Sequence, residues 1–274
     1  TVTFCHEVTK IYRSKLSLPC KILTIKNMDF TSKNVVITGG SQGIGLATAK
    51  AFINAGANVW ITGRSAGNLE NAANEINSPN LKTVVSDTSN LKGISALVEV
   101  IEASGKKLDV LYLNAGTATF APIATVTEAD FDAQFNTNVK GHFFTLQKLM
   151  PHLADGSSVI FTSSGVATGA AVGTGVYSAT KGALNKIAHI ALNELAEKKV
   201  RVNIVSPGPI QTPGLDSVAP PEAVAYLAST TALQRVGTAE EIAGTVLFLA
   251  SDAAAYINGA DIAVDGGFIQ YHLK

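Results

Sequence analysis

The sequence predicts an α/β protein: one doubly wound domain, a parallel sheet with helices on both faces. Short β-branched runs alternate with longer stretches of helical periodicity from Asn34 onward, which is the pattern of repeated βαβ units. The 274 residues, 46% hydrophobic and 15% charged, suffice for one sizeable core and force no second domain. No apolar run reaches the roughly 18 residues that a membrane-crossing helix needs.

Strands are expected at 35–38, 58–62, 82–86, 109–113, 158–162, 200–205 and 261–264, and helices at 44–54, 66–76, 91–103, 128–153, 176–197 and 240–249. Right-handed crossovers place those helices on both faces, and such a sheet binds ligands beyond the carboxyl ends of its strands. The Pro-rich patch from Pro207 to Pro221 reads as a loop, a candidate lid over a ligand. Residues 1–27 differ: Lys10, Arg13, Lys15, Lys21 and Lys26 face only Glu7, and no periodicity lasts. They read as an appended leader, with the working domain spanning 28–274. A targeting peptide is the alternative, although an apolar segment and a small-residue cleavage site are lacking.

Lys+Arg and Asp+Glu both count 21, so no long-range field gathers nucleic acid or an anionic membrane. A small-molecule partner is expected. Cys5 and Cys20 are the only cysteines, so the rest of the chain has no thiol for a disulfide or a metal cage. A reducing compartment, the cytoplasm, fits that usage, and no metal site is expected.

Thr38-Gly39-Gly40-Ser41-Gln42-Gly43-Ile44-Gly45 follows the first strand and opens a helix. Its glycines let backbone amides and the helix N-terminus approach a pyrophosphate. Spaced Gly-x-x-x-Gly-x-Gly, it departs from the usual G-x-G-x-x-G fingerprint. The second strand ends at Gly63-Arg64, where a site for NAD carries an acid for the ribose 2′-hydroxyl. Arg64 instead suits a 2′-phosphate, so NADP(H) is preferred, with NAD(H) the alternative; Gln42 adds no second cation. At the next strand ends stand Asp87-Thr88, where an adenine edge fits, and Asn114-Ala115-Gly116.

Tyr177 and Lys181 are four residues apart and share one helix face. A free phenol has a pKa of about 10, and a nearby ammonium lowers it into a useful acid/base range. Ser164, at the end of the fifth strand, is placed to donate a hydrogen bond to a substrate oxygen. Asn138 is polar within a helical pattern: either a helix-bending buried amide or the holder of a proton-relaying water near Lys181.

Thr38-Gly39-x-x-x-Gly43-x-Gly45, Asn114-Ala115-Gly116, Asn138, Ser164, Tyr177-x-x-x-Lys181 and Pro207-Gly208, taken in order, resemble the short-chain dehydrogenase/reductase family over about residues 29–268. The resemblance implies a Rossmann-type domain, a seven-stranded sheet ordered 3-2-1-4-5-6-7, and a homotetramer or homodimer. It maps a catalytic tetrad onto Asn138, Ser164, Tyr177 and Lys181, with Tyr177 protonating a carbonyl that Ser164 polarises. Lys181 would lower the tyrosine pKa and hold the nicotinamide ribose. Cofactor contacts would include Gly39, Ser41, Gln42, Gly43 and Ile44, and later Pro207, Gly208, Ile210 and Thr212. One departure is Leu113, where many members have a further asparagine.

The segments expected to line a substrate pocket are 117–120, 165–171 and 210–218, and apart from Asp216 they carry no charge. A neutral small ketone or secondary alcohol is therefore expected. A 3-oxoacyl group on a carrier protein ranks second, because Leu149-Met150-Pro151-His152 and Leu192-Asn193-Glu194 offer no arginine for docking. A binding protein that senses NADP(H) without turnover is the reading from another class, and it leaves Tyr177 and Lys181 without a chemical purpose.

Overall fold

A computed structural model of the chain describes residues 28–216 and 219–270. The proposed leader, both cysteines, Ser217, Val218 and residues 271–274 lie outside the described residues. The strands are β1 (Asn34–Ile37), β2 (Asn58–Gly63), β3 (Leu81–Val85), β4 (Leu108–Leu113), β5 (Leu153–Thr162), β6 (Arg201–Pro207), β7 (Ile210–Gln211), β8 (Gly237–Thr238) and β9 (Asp261–Val264). The helices are α1 (Gly43–Asn54), α2 (Ala66–Ile76), α3 (Leu91–Ser104), α4 (Glu128–Phe135), α5 (His142–Leu149), α6 (Gly175–Glu194), α7 (Pro213–Asp216), α8 (Pro221–Ser229) and α9 (Ala239–Ala250).

Seven strands form one parallel sheet in the order β3-β2-β1-β4-β5-β6-β9. This is the expected order, its last strand being β9 because the short β7 and β8 intervene and pair with each other. Alternation along the buried strands explains the double winding. Val35 and Ile37 of β1, with Val110 and Tyr112 of β4, face a core completed by Phe52 of α1, Leu69 of α2 and Ile242 and Val246 of α9. Val36, Leu111 and Leu113 face the other way, onto Leu97 and Ile101 of α3, Leu146 of α5 and Leu184 of α6. Each such buried side chain stabilises the fold by about 1.5–3 kcal/mol. Met28 and Phe30 are already core residues, and the Phe30 ring stands edge-on to Phe52 with centroids 4.9 Å apart. No helix among the described residues is long and apolar enough to cross a membrane.

Two expectations are corrected. The stretch 128–153 is not one helix: α4 runs into a π turn at Asn136–Gly141, α5 follows, and a 3-10 turn at Met150–His152 leads into β5. The π turn carries Asn138 inward. Its last residue, Gly141, lies so close to Thr88 that an added Cβ would meet the Thr88 carbonyl oxygen at 2.5 Å. Pro151 has no N–H to continue the α-helical ladder, so α5 gives way to the 3-10 turn although Met150 itself stays helical at φ −50°, ψ −39°. The Pro207–Pro221 patch is likewise more than a loop, holding β7, α7 and the start of α8. Pro213 and Pro221 occupy first helical positions, where the missing N–H costs nothing.

Candidate active site

The cofactor end is built by the turn between β1 and α1, at the switch point where β1 lies between β2 and β4. Gly39 has φ +66°, and a Cβ there would meet Ala115 Cα at 2.8 Å. A Cβ on Gly45 would sit 2.1 Å from the Gly39 carbonyl oxygen. Asn114 fixes this turn from below, its Nδ2 donating to the carbonyls of Thr38 (3.1 Å) and Gly39 (3.2 Å). Its Oδ1 accepts from Thr162 Oγ1 at 3.2 Å, and Thr162 is also hydrogen-bonded to the buried Tyr112 phenol at 2.7 Å.

The start of α1 is left open. Ser65, Asn90, Thr127 and Thr238 accept hydrogen bonds that cap α2, α3, α4 and α9, whereas Gln42 makes no side-chain cap for α1 and no acid occupies its first turn. An uncapped N-terminus presents free N–H groups and a partial positive charge to an anion. A cleft of about 430 Å³ runs from there to Tyr177 and Lys181. At the rim away from Tyr177, next to Gly63 and Ser41, Arg64 is exposed and makes no hydrogen bond or ion pair among the described residues. The turn, the open helix start and the free guanidinium together fit a phosphorylated dinucleotide.

Of the cofactor residues expected from sequence, Gly39, Ser41, Gln42, Gly43, Ile44 and Arg64 line this cleft, as do Asp87, Thr88, Asn114, Ala115, Gly116, Tyr177, Lys181 and Thr212. Pro207, Gly208 and Ile210 do not. Gly208 packs on Asp265, and Ile210 lines a separate cavity of about 230 Å³ beside Arg235 and Glu241. Asp87 also serves its own turn, accepting from Ser89 N at 3.0 Å and Asn90 Nδ2 at 2.9 Å. Asn68, Thr137 and Thr162 line the cleft as well and went unread in the sequence. Asn68 had a signal, since it lies in the first turn of α2, four residues after Arg64.

At the chemical end, α6 carries Tyr177 and Lys181 on one face. Lys181 is buried and donates from Nζ to the Thr162 carbonyl at 2.8 Å, with Nζ 5.6 Å from the Tyr177 ring centroid. Burial pulls its ammonium down to about 8. Ser164 stands near enough to the Tyr177 phenol to lower it, and burial, the larger effect, raises it. The expected lowering of the tyrosine by Lys181 is thus not what dominates here: desolvation wins.

Asn138 is fully buried and its side chain is committed. Nδ2 donates to the Thr117 carbonyl (2.8 Å) and to Thr180 Oγ1 (3.1 Å), and Oδ1 accepts from Thr117 N (2.9 Å). The amide therefore clamps the segment after β4 against α6. One turn on, His142 is buried against Phe161, and burial, then Lys181, push its imidazole down to about 3. Because an unfolded histidine takes its proton near 6.5, the stability from this neutral imidazole is fully present above pH 6.5 and lost as pH falls toward 3. His142→Leu should therefore flatten the acid loss of stability by up to about 1.4 kcal/mol per pH unit. Denaturant midpoints at pH 7 and pH 4.5 that shift in parallel would contradict this. Among the described residues no group of three or more His, Cys, Asp or Glu is placed to hold a metal ion.

The fold and the site define a doubly wound dinucleotide-binding protein with a Tyr/Lys/Ser centre at the strand ends. A family model described as enoyl-(acyl carrier protein) reductase matches residues 39–269. The chain is 35% identical over 242 residues to oxidoreductase asL5 of Sarocladium schorii, covering 88% of this chain and 97% of that one. It is 33% identical over 258 residues to the 3-oxoacyl-[acyl-carrier-protein] reductase FabG of Thermotoga maritima, covering 88% and 100%. The crystal structure of a short-chain dehydrogenase from Burkholderia cenocepacia in complex with NADP superposes with a TM-score of 0.81 at 31% identity, covering 87% of this chain and 98% of that one. The chain belongs to the short-chain dehydrogenase/reductase family, and it is an oxidoreductase acting between alcohols and carbonyls.

Proposed function

We propose that this protein interconverts a neutral ketone and its secondary alcohol with NADP(H), using Tyr177 as acid/base. The observation that carries the reading is the Tyr177 phenol, with Ser164 beside it, at one end of a cleft whose other end is rimmed by the free Arg64. Ser164 and Tyr177 both reach one carbonyl oxygen, and the raised phenol keeps its proton near neutrality until the oxygen takes it. The nicotinamide, when bound, supplies the hydride. Lys181 has further N–H groups beyond the one on Thr162, suited to ribose hydroxyls. Exposed Phe131, Phe143 and Ile190 on α4, α5 and α6 suit cover by a second copy, as in a homodimer or homotetramer. The missing cysteines beyond Cys20 fit the cytoplasm.

A carrier-protein substrate is the second reading, favoured by the names of the family model and of the Thermotoga relative. The test is oxidation of NADPH and NADH against a panel of ketones, diketones and 3-oxoacyl carrier protein. Turnover faster with NADPH and small ketones supports the proposal, and strong preference for the carrier-bound substrate reverses the order. Binding of NADPH without turnover points to the sensor. Arg64→Asp should raise the KM for NADPH roughly 10- to 100-fold, the worth of a charge-assisted hydrogen bond to phosphate. It should do far less to NADH, and equal effects on both cofactors would remove Arg64 from the phosphate.

A further inference from the structure

We propose that Phe120 is the specificity-determining side chain of this site and that the substrate carbonyl carries an aromatic ring. The inference rests on Tyr177 as the acid/base. The Phe120 ring stands edge-to-face with Tyr177, centroids 5.7 Å apart and planes at 81°, yet 56% of the residue is open to solvent. An aromatic side chain this exposed beside the reacting phenol has a face without a partner.

Its position is held from both sides. Before it, Asn138 binds both main-chain polar groups of Thr117, and Gln134 Nε2 donates to the Thr119 carbonyl at 3.2 Å. After it, Ala121 N donates to the Gly173 carbonyl at 2.9 Å, stitching this segment to the loop that leads into α6. Phe120 is therefore presented by an anchored segment, which lowers the ordering cost of binding against it.

A carbonyl oxygen within reach of Tyr177 and Ser164 puts its carbon, and the groups on that carbon, a few ångströms from the same phenol. One substituent then lies over the Phe120 ring at the roughly 4.5–7 Å spacing of aromatic pairs. An aryl ring conjugated to the carbonyl is flat and fixed in line with it, so it meets that face with no rotamer to freeze. Ile123 and Val172, 88% and 98% exposed, extend the apolar surface outward, and residues 117–123 and 165–173 contain no charged side chain. Nothing there would pair with an ionised substrate.

The test compares phenyl methyl ketone with cyclohexyl methyl ketone, alike in outline and differing in the π-face, on wild type and Phe120→Leu. The phenyl-to-cyclohexyl ratio of kcat/KM should fall roughly tenfold in the variant, and an unmoved ratio overturns the inference. Calorimetric titration of NADPH-loaded protein with benzamide and cyclohexanecarboxamide, which cannot be reduced, gives the same comparison without chemistry. Turnover with benzamide binding indifferent to Phe120 sinks the aromatic subsite and leaves the reductase standing. No turnover with Phe120-dependent benzamide binding does the reverse.

Discussion

Tyr177→Phe should cut kcat by roughly 10²- to 10⁴-fold, the range that a positioned acid/base supplies, while NADPH still binds. The substitution removes one hydroxyl and keeps the ring that packs on Phe120, so the loss reports proton transfer and not collapse of the wall. Its size follows from the chemistry: without the phenol, the oxygen that gains charge as hydride reaches carbon has only Ser164 to stabilise it. Stopped-flow measurement of the hydride step, with NADPH affinity taken from fluorescence on the same protein, separates the two effects. A variant turning over within threefold of wild type would remove Tyr177 from the chemistry.

Lys181→Met should move stability and activity in opposite directions. The ammonium is buried, with the Thr162 carbonyl as its hydrogen-bond acceptor. The native state bears a desolvation cost that an isosteric apolar chain would not. Loss of the bond to Thr162 offsets part of the gain, leaving about 1–2 kcal/mol, which lifts Tm by about 2–4 °C per kcal/mol in a domain of this size. The sign of the pH dependence checks the cause. With the folded pKa near 8 and the unfolded one at 10.5, the cost is fully present below pH 8 and fades as pH rises to 10.5. The gain in Tm should therefore be largest at pH 7 and small at pH 10, while carbonyl reduction falls at least tenfold. A lower Tm at pH 7 would show that the lysine is a structural prop instead of a strained functional group.

The strand ends were legible in the sequence because short β-branched runs stop at glycine or polar residues, and the Tyr177/Lys181 pair because a spacing of four puts both on one helix face. What resisted reading depends on partners far along the chain or on main-chain atoms. Asn138 stood out as a polar residue in a helix, but its partner Thr117 lies 21 positions earlier, and the π turn adds one residue that apolar spacing tolerates. Thr162 acts on Lys181 through its carbonyl oxygen, for which no side-chain letter exists. Prolines at 213 and 221 were read as breakers although each opens a helix. Phe120 was visible only as one uncharged residue of a pocket segment, since its place beside Tyr177 comes from the anchoring of two loops.

The open start of α1 has a consequence for the whole molecule. Side chains close the starts of α2, α3, α4 and α9, whereas the start of α1 is open to an incoming anion. Any such ligand stabilises the folded chain by RT ln(1 + [L]/Kd), so part of the protein's resistance to heat and proteolysis is set by its surroundings. The lifetime of each molecule would then follow the size of the dinucleotide pool, linking abundance to the metabolic state that the enzyme serves.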